Sequence, residues 1–166
     1  MKNNIERVYI SNSNTGKGLF AGRMFLPGKL ILKFSGTRVD RDDPIHGTPL
    51  GSNLIQTGYK TYIMPESPGI FINHSCSPNA GIINNRKLVA IMKINEHDEI
   101  TFDYSTTMDE DFWTMDCLCS KPICRGVIKD FKTIPIYLQQ KYLSLEIVQK
   151  FIAHKYKELH KYTYLI

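Results

Sequence analysis

Nine consecutive residues, Phe71-Ile-Asn-His-Ser-Cys-Ser-Pro-Asn79, most sharply limit what this chain can fold into. Behind an apolar lead-in they carry two amides, an imidazole, two hydroxyls and a thiol. A run this rich in turn formers is not a helix from 74 to 79, and Pro78 lacks the N–H that a central strand must donate. The stretch reads as a surface loop or a functional elbow, so the regular elements have to lie on either side of it.

Cys76, inside this stretch, is one of four cysteines. The other three are crowded together as Cys117-x-Cys119-x4-Cys124. Two disulfides would suit a secreted chain, but the opening Met1-Lys-Asn-Asn-Ile-Glu-Arg7 lacks the apolar core of a secretory signal. An intracellular cluster of this density more often holds a metal, with unligated thiols as the alternative. Four thiolates suit tetrahedral zinc, at Zn–S distances of about 2.3 Å.

The 166 residues suffice for one domain with a small appendage and a real hydrophobic core. No apolar run approaches the roughly 20 residues of a membrane-spanning helix, so a soluble intracellular protein is expected. An excess of 21 Lys and Arg over 16 Asp and Glu gives +5, a weak bias toward acidic partners that solubility alone also explains. Lys150, Lys155, Lys157, Lys161, His154 and His160, interleaved with Tyr156 and followed by Tyr162, read as a solvated helix face rather than a nucleic-acid surface.

Alternation of β-branched and aromatic residues predicts strands over 5–11, 19–21, 29–34, 59–64, 88–94 and 100–104, with a hairpin turn at Asn84-Asn85-Arg86. Asn12 to Gly18 reads as a turn-rich loop, and 37–58 as a variable insertion of loops and short pieces. Glu96-His-Asp-Glu99 reads as a charged turn. After the cysteine cluster the periodicity becomes helical, over Ile136 to Leu143 and Leu145 to about Tyr162, with Pro135 at a tolerated helix start. The fold class expected is α+β, mainly β.

Four motifs in this order, Gly16-Lys-Gly-Leu-Phe-Ala21, Phe71-Ile-Asn-His-Ser-Cys-Ser-Pro-Asn79, Asp98-Glu-Ile-Thr-Phe-Asp-Tyr104 and Cys117-x-Cys119-x4-Cys124-Arg-Gly126, resemble the SET-domain lysine methyltransferases with a post-SET zinc knuckle. The resemblance spans about residues 5 to 130, and the tail more loosely resembles small stand-alone bacterial SET proteins. It implies a β-clip-like fold of several short sheets whose 73–76 and 104 segments cross in a knot-like way. The division it implies is a SET domain over 1–110, a post-SET zinc knuckle over 111–130 and a C-terminal helical extension over 131–166.

The resemblance also implies an S-adenosylmethionine site at Lys17, Gly18, Leu19, Asn73 and His74, and an active-site tyrosine at Tyr104. Phe34, Tyr62, Phe102 and Phe131 are the candidate walls of a lysine channel, and Phe102 in place of a tyrosine implies that di- or trimethylation is accessible. The zinc ligands implied are Cys76, Cys117, Cys119 and Cys124, a structural set with no open position, which would pin the knuckle against the elbow.

Methyl transfer to a lysine needs the neutral amine. Desolvation and the adjacent sulfonium both favour it, so no strong general base is required. Two departures from the family pattern bear on the rate. Phe34 stands where many members have tyrosine, and Ile70 replaces a polar or basic residue before Phe-x-Asn-His.

The expected partner is a protein presenting a lysine, a histone or another basic protein. A membrane is not involved and nucleic acid is not the substrate, while the C-terminal helices offer a surface for a dimer. The competing readings are a SET-fold binding module without catalysis and a basic zinc protein that binds nucleic acid. The compartment expected is the cytoplasm in a bacterium, or the nucleus or cytoplasm in a eukaryote.

Overall fold

The computed structural model describes residues 7–163, with side chains to Tyr156. The chain begins with an antiparallel hairpin of β1 (Val8–Ser13) and β2 (Gly16–Ala21), in register from Val8↔Ala21 to Ser13↔Gly16. Most of the expected loop at 12–18 is therefore strand, and only Asn14 and Thr15 turn. Gly16, at φ +112, supplies the backbone conformation that lets the pairing start so close to the turn.

Next come β3 (Leu30–Lys33), β4 (Gly36–Asp40), β5 (Ile55–Gly58) and β6 (Thr61–Pro65). The segment read as an insertion of loops and short pieces contributes two paired strands, because β4 and β5 flank β6 in a three-stranded antiparallel sheet. The missed signal is burial of few residues: Val39, Leu54 and Tyr62 form a small separate core, too sparse to give the alternation that marks a strand in sequence. Gly and Ser residues within two short 3-10 turns, Pro44–Gly47 and Pro49–Asn53, masked it further.

The elbow contains β7 (Asn73–His74), followed by β8 (Ala80–Ile83) and β9 (Lys87–Ala90). β8 and β9 form the expected hairpin and add to β3 in the order β3-β9-β8. Its turn places Asn84 and Asn85 at φ +49 and +65, a left-handed region that asparagine tolerates. β10 (Thr101–Phe102) pairs parallel with β7, Thr101↔Asn73 and Phe102↔His74, so the elbow lies beside the strand that leads into Tyr104. The main core runs beneath these sheets through Leu19, Phe25, Ile31, Ile63, Ile82 and Ile100.

Beyond Tyr104 the chain makes a 3-10 turn over Tyr104–Thr106, where a strand end was expected, then the knuckle hairpin of β11 (Met115–Asp116) and β12 (Val127–Ile128). Two helices close the described fold, α1 (Ile136–Ser144) and α2 (Lys150–Thr163). The second helix starts five residues later than its periodicity predicts, because Glu146 takes φ +56 and the first α2 amide, of Lys150, donates to Asn85 Oδ1 at 3.1 Å. That cap comes from 65 positions away, so local sequence cannot announce it.

Phe131, Leu138, Tyr142, Ile147, Ile152 and Tyr156 make a second core under these helices. Tyr156 is buried, so the helix face expected to be solvated is so only in part. Lys157, His160, Lys161 and Tyr162 lie outside the described side chains. No helix among the described residues is long and apolar enough to cross a membrane.

Candidate functional site

The β7–β10 pair divides two cavities, and strand alternation explains how. Asn73 and Thr101 face a polar cleft of about 440 Å³. Their neighbours Ile72 and Phe102 face an apolar slot of about 30 Å³, and Tyr104 faces that slot as well.

Asn73 organises the polar side. Its amide Nδ2 donates to the Lys17 carbonyl at 3.0 Å and lies 3.1 Å from Ser13 Oγ and 2.7 Å from Glu99 Oε1. Gly18 lies against the same group: a Cβ there would sit 2.5 Å from Glu99 Oε1 and 3.2 Å from Asn73 Nδ2. The glycine thus allows the β1–β2 hairpin to approach the elbow. Asn79 holds the other side, donating to the Glu99 carbonyl at 2.7 Å and accepting from Thr101 N at 2.9 Å.

The expected cofactor residues are placed unevenly around this cleft. Asn73 and His74 line it, whereas Lys17, Gly18 and Leu19 do not; the hairpin contributes Asn14 and Thr15 instead. The Lys17 side chain crosses the hairpin to Asn12 Oδ1 at 3.0 Å. Leu19 is fully buried, and its carbonyl is occupied by Ile100 N at 2.7 Å. Glu99, Met92 and Lys93 also line the cleft. Glu99 was hidden because an acid in a charged turn looks like any solvated acid.

Both ring nitrogens of His74 are engaged by protein partners. The Tyr104 N–H points at Nδ1 over 3.2 Å, so Nδ1 carries no proton, and Nε2–H donates to Cys76 Sγ at 3.3 Å. Burial lowers its pKa to about 4, with Asp103 opposing the shift and Arg125 adding to it, which keeps the ring neutral.

In the slot, Phe102 and Tyr104 pack with ring centroids 4.8 Å apart. The Tyr104 hydroxyl donates to the Ile72 carbonyl at 2.7 Å. Burial, and secondarily the Glu99 charge, raises its pKa well above that of an ordinary tyrosine. Of the other expected channel aromatics, Phe34 stands behind Phe102, edge to face at 6.3 Å.

Tyr62 belongs to the small core, hydrogen-bonded to Glu110 and edge-on to His46. Phe131 is fully buried in the C-terminal core. The remaining walls include Ile70, Ile72, Met108 and Trp113. Ile70 thus stands in the slot, not in the polar cleft.

Four thiols meet behind the elbow. Cys76 Sγ and Cys117 Sγ are 3.7 Å apart, against the roughly 3.8 Å that two sulfurs on a tetrahedral zinc with bonds of about 2.3 Å would show. The Cys76, Cys117 and Cys119 sulfurs and the His74 ring lie within 4.8 Å of one another, and Cys124 packs into the same cluster. With Nδ1 accepting from Tyr104 and Nε2 protonated, His74 has no lone pair for a metal. The four sulfurs are therefore the donor set that fits. Burial raises the Cys117 thiol, whereas for Cys119 backbone N–H groups outweigh burial and bring it down to about 7.

Comparison with known proteins supplies a further set of findings. A family model described as the SET domain matches residues 16–105. The chain is 29% identical over 130 residues to the histone-lysine N-methyltransferase set-2 of Caenorhabditis elegans, covering 68% of this chain and 8% of that protein. It is 43% identical over 65 residues to the H3 lysine-4 specific histone-lysine N-methyltransferase of Schizosaccharomyces pombe, covering 35% of this chain and 7% of that one. It thus spans less than a tenth of either relative's length. The structure of SUVH6 from Arabidopsis thaliana, in complex with SAM, shares the fold with a TM-score of 0.59 over 74% of this chain and 32% of its own, at 18% identity.

Proposed function

The chain belongs to the SET-domain family, whose model covers more than half of it, and from that premise we propose that it transfers methyl groups from S-adenosylmethionine to a lysine of a protein substrate. The observation that carries this reading is the β7–β10 pair, which sets a polar cleft of cofactor size on one side and a narrow apolar slot ending at Tyr104 on the other. A cleft of about 440 Å³ lies within the roughly 300–1,000 Å³ typical of ligand sites. The relatives' names and the SAM-bound fold neighbour point the same way.

S-adenosylmethionine, when bound, supplies an electrophilic methyl. Asn14, Thr15, Asn73 and Glu99 are the groups positioned to hold it, and Gly18 keeps the hairpin close behind them. The slot walls Ile70, Ile72, Phe102 and Trp113 would strip water from the incoming lysine, whose pKa of about 10.4 in water then falls toward the neutral amine.

Tyr104 does not act as a base. Its raised pKa keeps the phenol protonated and its proton is committed to the Ile72 carbonyl, which leaves the oxygen lone pairs free to orient the amine. Phe102 adds no hydroxyl to the slot, so di- and trimethyl products are included in the proposal. The four cysteines, none of them in a disulfide, would hold a structural zinc, and a reducing, intracellular compartment is part of the proposal. The functional division follows the same lines: SET domain to 110, knuckle over 111–130, helical extension beyond.

Radiolabelled methyl transfer onto a cell lysate, followed by mass spectrometry of the labelled protein, tests this. Wild type should label lysine, and Tyr104→Phe should lower the rate by about 100-fold. The rate should climb with pH as the substrate amine deprotonates, without the alkaline fall that an ionising Tyr104 would cause. Equal labelling by the two proteins, or labelling of another residue type, overturns the proposal.

A further inference from the structure

Resting on this reading, we propose that Tyr142 is a positioning residue for Tyr104: from α1, its hydroxyl holds the Asp103 carboxylate one residue before the catalytic tyrosine. Asp103 is 1% exposed, so every lone pair on its carboxylate needs a protein donor. Oδ1 accepts from Arg125 Nη2 at 2.7 Å and from Ser105 N at 3.1 Å, while Oδ2 accepts from Arg125 Nη1 at 2.8 Å and Tyr142 Oη at 3.2 Å. Arg125 comes from the knuckle, Ser105 from the turn that carries Tyr104, and Tyr142 from α1. One carboxylate thus joins three parts of the chain next to the reacting group.

The C-terminal segment continues this hold along the chain that follows Tyr104. The Thr106 carbonyl accepts from Gln149 N at 3.0 Å and the Met108 carbonyl from Phe131 N at 3.0 Å. The Asp109 carboxylate accepts from Lys155 Nζ at 2.9 Å. Residues 131–155 therefore bond residues 103–109 at four points, two of which bracket Thr107 and Met108 in the slot wall. Removing the Tyr142 hydroxyl leaves a buried carboxylate oxygen with one donor instead of two. The cheapest response is movement of Asp103, and Tyr104 is the next peptide.

The test compares Tyr142→Phe with wild type in the full zinc-loaded chain, with Leu138→Ala as a control that thins α1 packing without touching Asp103. In Tyr142→Phe, amide exchange at Ser105, Thr106 and Thr107 should quicken by about ten-fold while core amides such as Ile82 keep their wild-type rates. The kcat should fall by about five- to ten-fold, the scale of one ordinary hydrogen bond, with KM for cofactor and substrate unchanged. Leu138→Ala should lower Tm without either change.

Uniform acceleration of exchange, wild-type values in both readouts, or an equal kcat loss in Leu138→Ala overturns the positioning role. If wild type transfers no methyl, the methyltransferase reading fails on its own. The exchange pattern then still decides whether Tyr142 holds the turn.

Discussion

The polar cleft and the apolar slot are built on opposite sides of the same two short strands, yet they differ in how specifically their residues are chosen. On the cleft side the two elbow amides have defined partners: Asn73 reaches Lys17 and Glu99, and Asn79 reaches Glu99 and Thr101. The slot is lined mostly by ordinary apolar side chains, which differ from core residues only in bordering empty space, with Ser52, Asn53 and Thr107 among them. Hydrogen-bonded sites tolerate few substitutions because an unmatched buried partner costs about 1–3 kcal/mol. An apolar wall needs only shape.

Three perturbations bear on this contrast. The largest effect is expected from Cys76→Ser, since Cys76 belongs both to the elbow and to the thiol cluster behind it. Zinc should be lost from stoichiometric to near zero by metal analysis, and exchange over 113–128 should rise. Retention of stoichiometric zinc would break the link between the elbow and the knuckle.

An intermediate effect is expected at Asn73→Ala, which strips the polar cleft of its organising amide and leaves Glu99 and the Lys17 carbonyl without it. Affinity for S-adenosylmethionine by calorimetry should weaken by about ten-fold or more. Unchanged affinity would mean that the cleft's polarity serves only the fold. Tyr62→Phe should do least to the rate. Methyl transfer should stay within about two-fold while Tm falls, because Glu110 loses its buried partner. A rate collapse at unchanged Tm would return Tyr62 to the slot.

The same contrast explains what was legible in the sequence. Asn73, Cys76, Gly18 and Tyr104 stand out because each belongs to a short motif whose chemistry admits few substitutes. Phe34, Tyr62 and Phe131 were equally visible as aromatics, but aromaticity does not say which cavity a ring faces. Of the three, one backs Phe102 and two fill other cores. Ile70, Met108 and Trp113 gave no signal as slot walls, since nothing local distinguishes a wall from packing. The β4 and β5 strands were missed for a related reason, as their stability lies in pairing with β6 and in a core of very few residues.

The sequence by itself determined the mainly β class, the helical end, the family motifs and the four thiols, because turn chemistry, periodicity and ligand chemistry act over a few residues. Only the tertiary structure decided where those pieces face. The parallel register Thr101↔Asn73 puts Asn73 on one side and Phe102 on the other. Long-range bonds from Asn85 and Tyr142 decide where α2 begins and how the Tyr104 turn is held. Such bonds join residues 39 and 65 positions apart, and a chain reveals them only once its cores have brought the partners together.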